Sequence, residues 1–287
     1  MKKFVSLIFI MIIILSTGCI KQDKMEDINI ITTIYPIEYI TNRLYGEKSN
    51  IKSIYPKDSI VSDYKLTKKQ LKDFSDNDLF IYNGASDEKS YAIDMVKTNK
   101  SLKIIDATYG LEIEKRRTDI WLNPANMLMI AQNIKNELSD YIYADKIKES
   151  IEKEYTLLKV DITEIEAQFK KAYNDSVNKQ IISADESLNF LTRYGFEVIS
   201  LTKDGKTDEN NVALAKKLFS DKKVNYIFVI ENEKEYDIVK DLKTDPKFET
   251  ITFRTLETLK EKDIENKDDY LSLMHSNIDK IKQETYK

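Results

Sequence analysis

The stretch from Asn123-Pro124 to Tyr173 constrains the fold more than any other, because after Pro124 neither glycine nor proline returns until Gly195 and the apolar residues keep helical spacing. In its second half Ile147, Ile151, Tyr155, Leu158, Ile162, Ile165, Phe169 and Tyr173 follow one another at steps of three or four residues. That pattern predicts a single apolar stripe on a helix of roughly 30 residues, about 45 Å long. One small domain does not need a helix of that length. Between two strand-rich regions it reads as a spine joining two lobes, which makes the cleft between them the first place to look for a ligand. A coiled-coil arm is the competing reading, and the absence of strict a/d spacing weighs against it.

Strand and helix signals alternate on both sides of the spine. Before it, strands are expected over 28–34, 51–55, 78–82 and 102–106, with helices over 36–45, 67–74 and 86–97; Thr67 is the expected N-cap of the second helix. After it, strands are expected over 180–183, 196–201, 224–230 and 250–253, with helices over 186–194, 209–220, 234–242 and 270–282. Alternation of this kind predicts parallel sheets covered by helices, so the expected fold is α/β, two parallel-sheet lobes joined by a long rigid helix. The matching endings Arg43-Leu44-Tyr45-Gly46 and Thr192-Arg193-Tyr194-Gly195 hint at a duplicated lobe, although a shared C-cap glycine would suffice to explain them.

The first residues stand apart from this rhythm. Lys2 and Lys3 precede an apolar run over 4–15, too short for a comfortable membrane span, and Leu15-Ser16-Thr17-Gly18-Cys19 then places small residues before a cysteine. This looks like a bacterial lipoprotein signal with Cys19 as the lipidated first residue of the mature chain; a plain secretory signal is the alternative. Cys19 is the only cysteine, so no internal disulfide and no multi-thiolate metal site is expected. The expected organisation is a signal peptide over 1–18, a polar tether over 19–27, an N-terminal lobe over 28–124, connecting helices over 125–176 and a C-terminal lobe over 177–287. Loss of Lys2 and Lys3 with the signal takes the formal net charge from −4 to −6, and no basic cluster interleaved with aromatics offers a nucleic-acid surface.

Open parallel sheets bind ligands beyond the carboxyl ends of their strands. The polar residues expected there are mostly acidic: Ser62 and Asp63 after the second strand, Asp119 beyond the fourth, and Asp185, Glu231 and Glu257 after strands of the second lobe. Carboxylates converging on one cleft raise one another's pKa unless a cation or basic side chain neutralises them, and a divalent cation is the simplest remedy. Taken singly, each of these residues is better explained as a helix cap or a solvated loop residue than as a ligand; the argument rests on their shared strand-end position.

The sequence resembles the substrate-binding proteins of manganese and zinc ABC transporters, the metal-binding adhesin-lipoprotein family, over nearly all of the mature chain. The resemblance is carried by Ile31-Thr32-Thr33-Ile34-Tyr35-Pro36, Asp63-Tyr64, Asp78-Leu79-Phe80-Ile81-Tyr82-Asn83-Gly84, Ile120-Trp121-Leu122-Asn123-Pro124, Tyr194-Gly195, and Tyr270-Leu271-Ser272-Leu273-Met274 with Asn277. It implies a lipid-anchored extracytoplasmic receptor, acting as a monomer with a permease and an ATPase, that carries one divalent ion between its lobes as transported ligand. At the family's ligand positions, usually two histidines, a histidine or glutamate, and an acid near the last strand, this chain is expected to have Ser62, Asp119, Asp185 and Glu257, with Glu231 in reserve; its only histidine, His275, falls in the C-terminal helix pattern. Oxygen donors of this kind suit Mn²⁺, Mg²⁺ or Ca²⁺ better than a set of imidazoles would, so either a retuned manganese- or zinc-class site or a divergent member binding another ligand, or serving in surface adhesion, is expected. Paired acids could also serve a glycosidase, but the chain has neither a nucleophile elbow nor a phosphate-cradling glycine loop, and it is not expected to be an enzyme.

If Cys19 carries the lipid, Cys19→Ala should move the protein from the membrane fraction to the soluble one or leave the precursor uncleaved. Wild-type protein found wholly in the soluble secreted fraction would contradict the anchor.

Overall fold

Isoleucine-rich Ile28–Thr32 (β1) opens the first lobe as a buried strand. After it come α1 (Tyr35–Tyr45), β2 (Ser49–Ser53), α2 (Lys68–Ser75), β3 (Leu79–Tyr82), α3 (Glu88–Thr98) and β4 (Lys103–Asp106). The computed structural model describes residues 23–111, 119–231 and 235–286. Thr67 caps α2 as expected, in a capping box with Gln70. The four strands form one parallel sheet in the order β2-β1-β3-β4.

Two helices follow, α4 (Pro124–Tyr141) and α5 (Asp145–Asp175), the second being the 31-residue spine. The chain turns between them with no glycine or proline. The cause lies far away in sequence: both Tyr143 N and Ala144 N donate to the Asp23 carboxylate at 2.7 Å, so an aspartate from the chain's beginning supplies the cap that the local sequence lacks. The same contact shortens the expected tether. Asp23 and Met25 are buried, and Tyr45 Oη donates to Met25 O at 2.7 Å, so packing begins at residue 23 and not after Asp27. Cys19 and the signal lie outside the described residues.

The second lobe repeats the first. Its elements are β5 (Gln180–Ser183), β6 (Glu197–Ser200), a small hairpin of β7 (Thr202–Lys203) and β8 (Lys206–Thr207), α6 (Glu209–Ser220), β9 (Tyr226–Ile230), α7 (Asp237–Leu242), β10 (Glu249–Phe253), α8 (Glu261–Asn266) and α9 (Tyr270–Thr285). The main sheet is again parallel, in the order β6-β5-β9-β10, so in both lobes the strand order reverses beside the first strand. The hairpin and α8 are absent from the sequence reading. Glu186–Tyr194, expected as a helix, forms a 3-10 helix ending at Gly195 in the left-handed region, φ +108°. A Cβ at Gly195 would stand 2.5 Å from the Tyr173 ring, so the close approach of this turn to the spine requires glycine.

The spine's apolar stripe holds the lobes in one core. Ile147, Ile151, Leu158, Ile162, Ile165 and Phe169 are buried in the same cluster as the first sheet, α9 and the inner face of the second sheet. Its polar side is tied to both lobes, through Arg43 to Asp161 at 2.7 Å and Tyr194 Oη to Glu166 at 2.6 Å. A separate cluster, including Ile182, Ile199, Leu218 and Ile227, fills the outer face of the second lobe.

Ile162 is 0% exposed at mid-spine. Ile162→Asp should therefore cost about 3 kcal/mol or more, seen as a lower urea midpoint; a midpoint equal to wild type would mean that the stripe is not a shared core.

Candidate functional site

Segment 254–261 runs from the end of β10 across the gap between the lobes. Tyr35 N donates to Glu257 O at 2.8 Å, Asp58 N to Leu259 O at 3.0 Å, Thr258 Oγ1 to Ser59 O at 3.0 Å, and Trp121 Nε1 to Thr255 O at 2.6 Å. These bonds bring the carboxyl-end loops of both sheets to one strip of backbone. Behind it, buried Asn277 on α9 accepts from Arg254 N and donates to Arg254 O, holding that residue as a neighbouring strand would.

The sequence-predicted residues fare unequally around this strap. Glu231 is buried, but Arg254 Nε lies 2.9 Å from one oxygen and Lys260 Nζ 2.5 Å from the other. Arg254 also makes a two-pronged pair with Asp263, at 2.6 and 2.7 Å. Glu231 is thus neutralised within the protein, which takes it out of the reserve-ligand role. Asp185 is 7% exposed, and its carboxylate accepts from Ser187 N at 2.9 Å as the cap of the 3-10 helix. Ser62 is exposed in a turn after β2, and half-buried Asp119 directly precedes a short 3-10 turn, Ile120–Leu122. His275 is half-buried on α9. Among the described residues no group of three or more His, Cys, Asp or Glu stands close enough to hold a metal ion. Two of the acids are already engaged, Asp185 on a cap and Glu231 on cations.

Glu257 is different. Its carboxylate has no hydrogen-bond or ion-pair partner among the described residues, and burial pushes its pKa up to about 7. Close by is Glu88, which the sequence reading passed over. It is 3% exposed at the start of α3, where Tyr55 Oη donates to one oxygen at 2.9 Å and Asn83 N to the other at 3.0 Å. Burial raises its pKa to about 7 as well, against the pull of Thr33, Asn83 and Tyr55, and Glu257 pushes in the same direction. The available signal for Glu88 was its place five residues beyond Asn83 N, after a strand buried at every position.

Two buried hydroxyls make no hydrogen bond of normal geometry among the described residues, Ser183 Oγ and Thr33 Oγ1, the second lying beside the Glu88 carboxyl. They occupy corresponding places. Thr33 follows β1 and Ser183 ends β5, the first strand of each sheet, and it is beside these strands that the order reverses. Ligands of open α/β sheets lie at such points.

Both raised carboxyls hold their protons more tightly when folded, near 7, than at the ordinary value of 4.5 expected on unfolding. Their contribution to stability is therefore full below about pH 4.5 and is lost as pH rises through 7. In chelator-containing buffer the fall in Tm between pH 5.5 and 8 should be smaller in Glu257→Gln than in wild type; an undiminished fall would mean that Glu257 is not held neutral by burial.

Comparison with known proteins gives one consistent answer. Residues 30–284 match the family described as ZnuA, zinc-uptake complex component A, periplasmic. The chain is similar to the zinc-binding lipoprotein AdcA of Streptococcus pneumoniae, 23% identical over 99% of this chain and 61% of that protein. It is also similar to the high-affinity zinc uptake system protein ZnuA of Bacillus subtilis, 22% identical over 93% of this chain and 90% of that one. Among solved structures, the Zn(II)-bound ZnuA-like domain of S. pneumoniae AdcA superposes with a TM-score of 0.74 at 21% identity, covering 91% of this chain and 100% of the domain, which bears on the fold. The chain spans about 61% of the length of AdcA.

Proposed function

The chain belongs to the ZnuA family of zinc-uptake components, and from that premise we propose that it is the extracytoplasmic receptor of an ABC importer, carrying a divalent metal ion as cargo. The observation that carries this reading is the extent of the match, since residues 30–284 include both lobes, the spine and the strap between the lobes. The family is one of transport components and not of enzymes, and we read this chain in the same way.

Glu257 is the proposed centre of capture, because it is the strand-end acid of the strap that has no partner among the described residues. Asp119, Asp185 and Ser62 are the proposed remaining donors from the facing loops; Asp185 would give up its bond to Ser187 N to join them. Glu231 is left out, because Arg254 and Lys260 already hold its charge. Oxygen donors narrow the advantage that zinc has over manganese at imidazole sites, so the cargo is of the manganese or zinc class. A permease and an ATPase are the partners this role requires, with the receptor a monomer held to the membrane through Cys19. Among the described residues no helix is long and apolar enough to cross a membrane.

One observation favours a second reading, in which a divergent member binds another ligand: the lack of a three-residue metal-ligand group among the described residues. Thermal melting separates the two. Mn²⁺ at one hundred times its Kd should stabilise the protein by about 2.7 kcal/mol, a shift of a few degrees for a chain of this size. If Mn²⁺, Zn²⁺, Ca²⁺ and Mg²⁺ all leave the melting curve unmoved at millimolar concentration, the metal-receptor reading fails and the divergent reading replaces it.

A further inference from the structure

Asp23, where packing begins, marks one face of the molecule. Its carboxylate accepts from Tyr143 N and Ala144 N at 2.7 Å and from Met25 N at 2.9 Å, which caps the turn between α4 and α5 and buries the start of the body there. The same turn carries the Tyr143 side chain, 82% exposed. Only the backbone of Tyr143 makes the cap, so the fold gives no packing reason for an aromatic ring in solvent at this point. A tyrosine, apolar in its ring and polar at its tip, suits the boundary between lipid and water. Charges flanking the turn are of both signs, exposed Lys24 and Lys146 against exposed Asp140 and Asp145, so the face does not select anionic lipid.

Reach decides how this face can lie. Cys19 stands four residues before Asp23, at most about 14 Å of extended chain. The strap is at the other end of the first lobe. β1 starts beside the capped turn, where Asp27 N donates to Lys48 O, and leads to Tyr35, whose N donates to Glu257 O. From Trp121, bonded to the strap at Thr255 O, the chain returns through the 18 residues of α4 to the capped turn, a length of about 27 Å. A body with its strap toward the bilayer would lift Asp23 about 27 Å from the surface, roughly twice what the tether spans.

We propose that the short reach from Cys19 holds the turn between α4 and α5 against the bilayer, with Tyr143 at the headgroups and with the strap and the strand carboxyl ends facing away. This goes beyond the receptor reading and rests on the lipid anchor at Cys19. Turning the strap toward the bilayer then requires Asp23 through Asp27 to leave the body, which extends the reach from Cys19 to Ile28 to about 32 Å.

The test uses the full lipidated chain in phosphatidylcholine vesicles that contain a lipid-linked acceptor dye. With Cys19 acylated, Tyr143→Cys and Lys57→Cys each offer one thiol for a donor dye; exposed Lys57 adjoins Asp58, whose N donates to Leu259 O of the strap. Energy transfer to the bilayer should be severalfold greater from position 143 than from position 57. Inserting about twenty glycine and serine residues between Gln22 and Asp23 should erase most of that difference, since the tether then spans about 27 Å on average. Vesicle-bound protein with equal transfer from both positions, or with more from position 57, overturns the orientation and leaves the anchor standing. A difference that survives the linker overturns the short tether as its cause. Wild type that does not float with the vesicles overturns the anchor and the orientation together and leaves the metal-receptor reading untouched.

Discussion

Burial of one apolar stripe along the spine is the constraint on which the rest of the molecule depends. Ile147 through Phe169 enter a core that also contains the first sheet, α9 and the inner face of the second sheet. Two small α/β lobes, each with a four-stranded sheet, would bury little surface alone. Sharing a helix 31 residues long fixes their separation and leaves their strand ends on the same side of one structure. Relative movement of the lobes is thus limited by the same hydrophobic contact that stabilises each of them, and the strap over 254–261 adds hydrogen bonds across the gap.

Within this frame the buried acids fall into two kinds. Glu231 and Asp263 are neutralised by Arg254 and Lys260, and Arg254 is fixed through its backbone by Asn277. A buried charge network of this sort positions the chain and has no spare bonding capacity, since removing any one member would strand the others. Among the described residues no cation pairs with Glu88 or Glu257. Burial raises the pKa of both to about 7. The contrast explains why acids that look alike in the sequence carry different roles.

Much of the fold was legible in the sequence. Periodicity located the spine stripe, and of the expected elements the strand at Gln180–Ser183 and the helix at Glu209–Ser220 agree with the structure at both ends. Others moved by a few residues, such as β2, found at Ser49–Ser53 where 51–55 was expected. The break between α4 and α5 was not legible, because its cause is Asp23, more than a hundred residues away. The candidate site was read less well. Position after a strand identified acids that could reach a cleft, and it could not distinguish the cap Asp185 or the ion-paired Glu231 from Glu257, which has no such partner among the described residues.

The sequence by itself determined the class of fold, the two-lobed layout and the absence of a histidine cluster, because periodicity and composition are properties of neighbouring residues and of simple counts. Only the tertiary structure decided which acids keep their oxygens free. A carboxylate's availability depends on what packs against it, and those partners come from distant segments: Arg254 and Lys260 for Glu231, Tyr55 for Glu88, and Tyr35 beneath the backbone of Glu257.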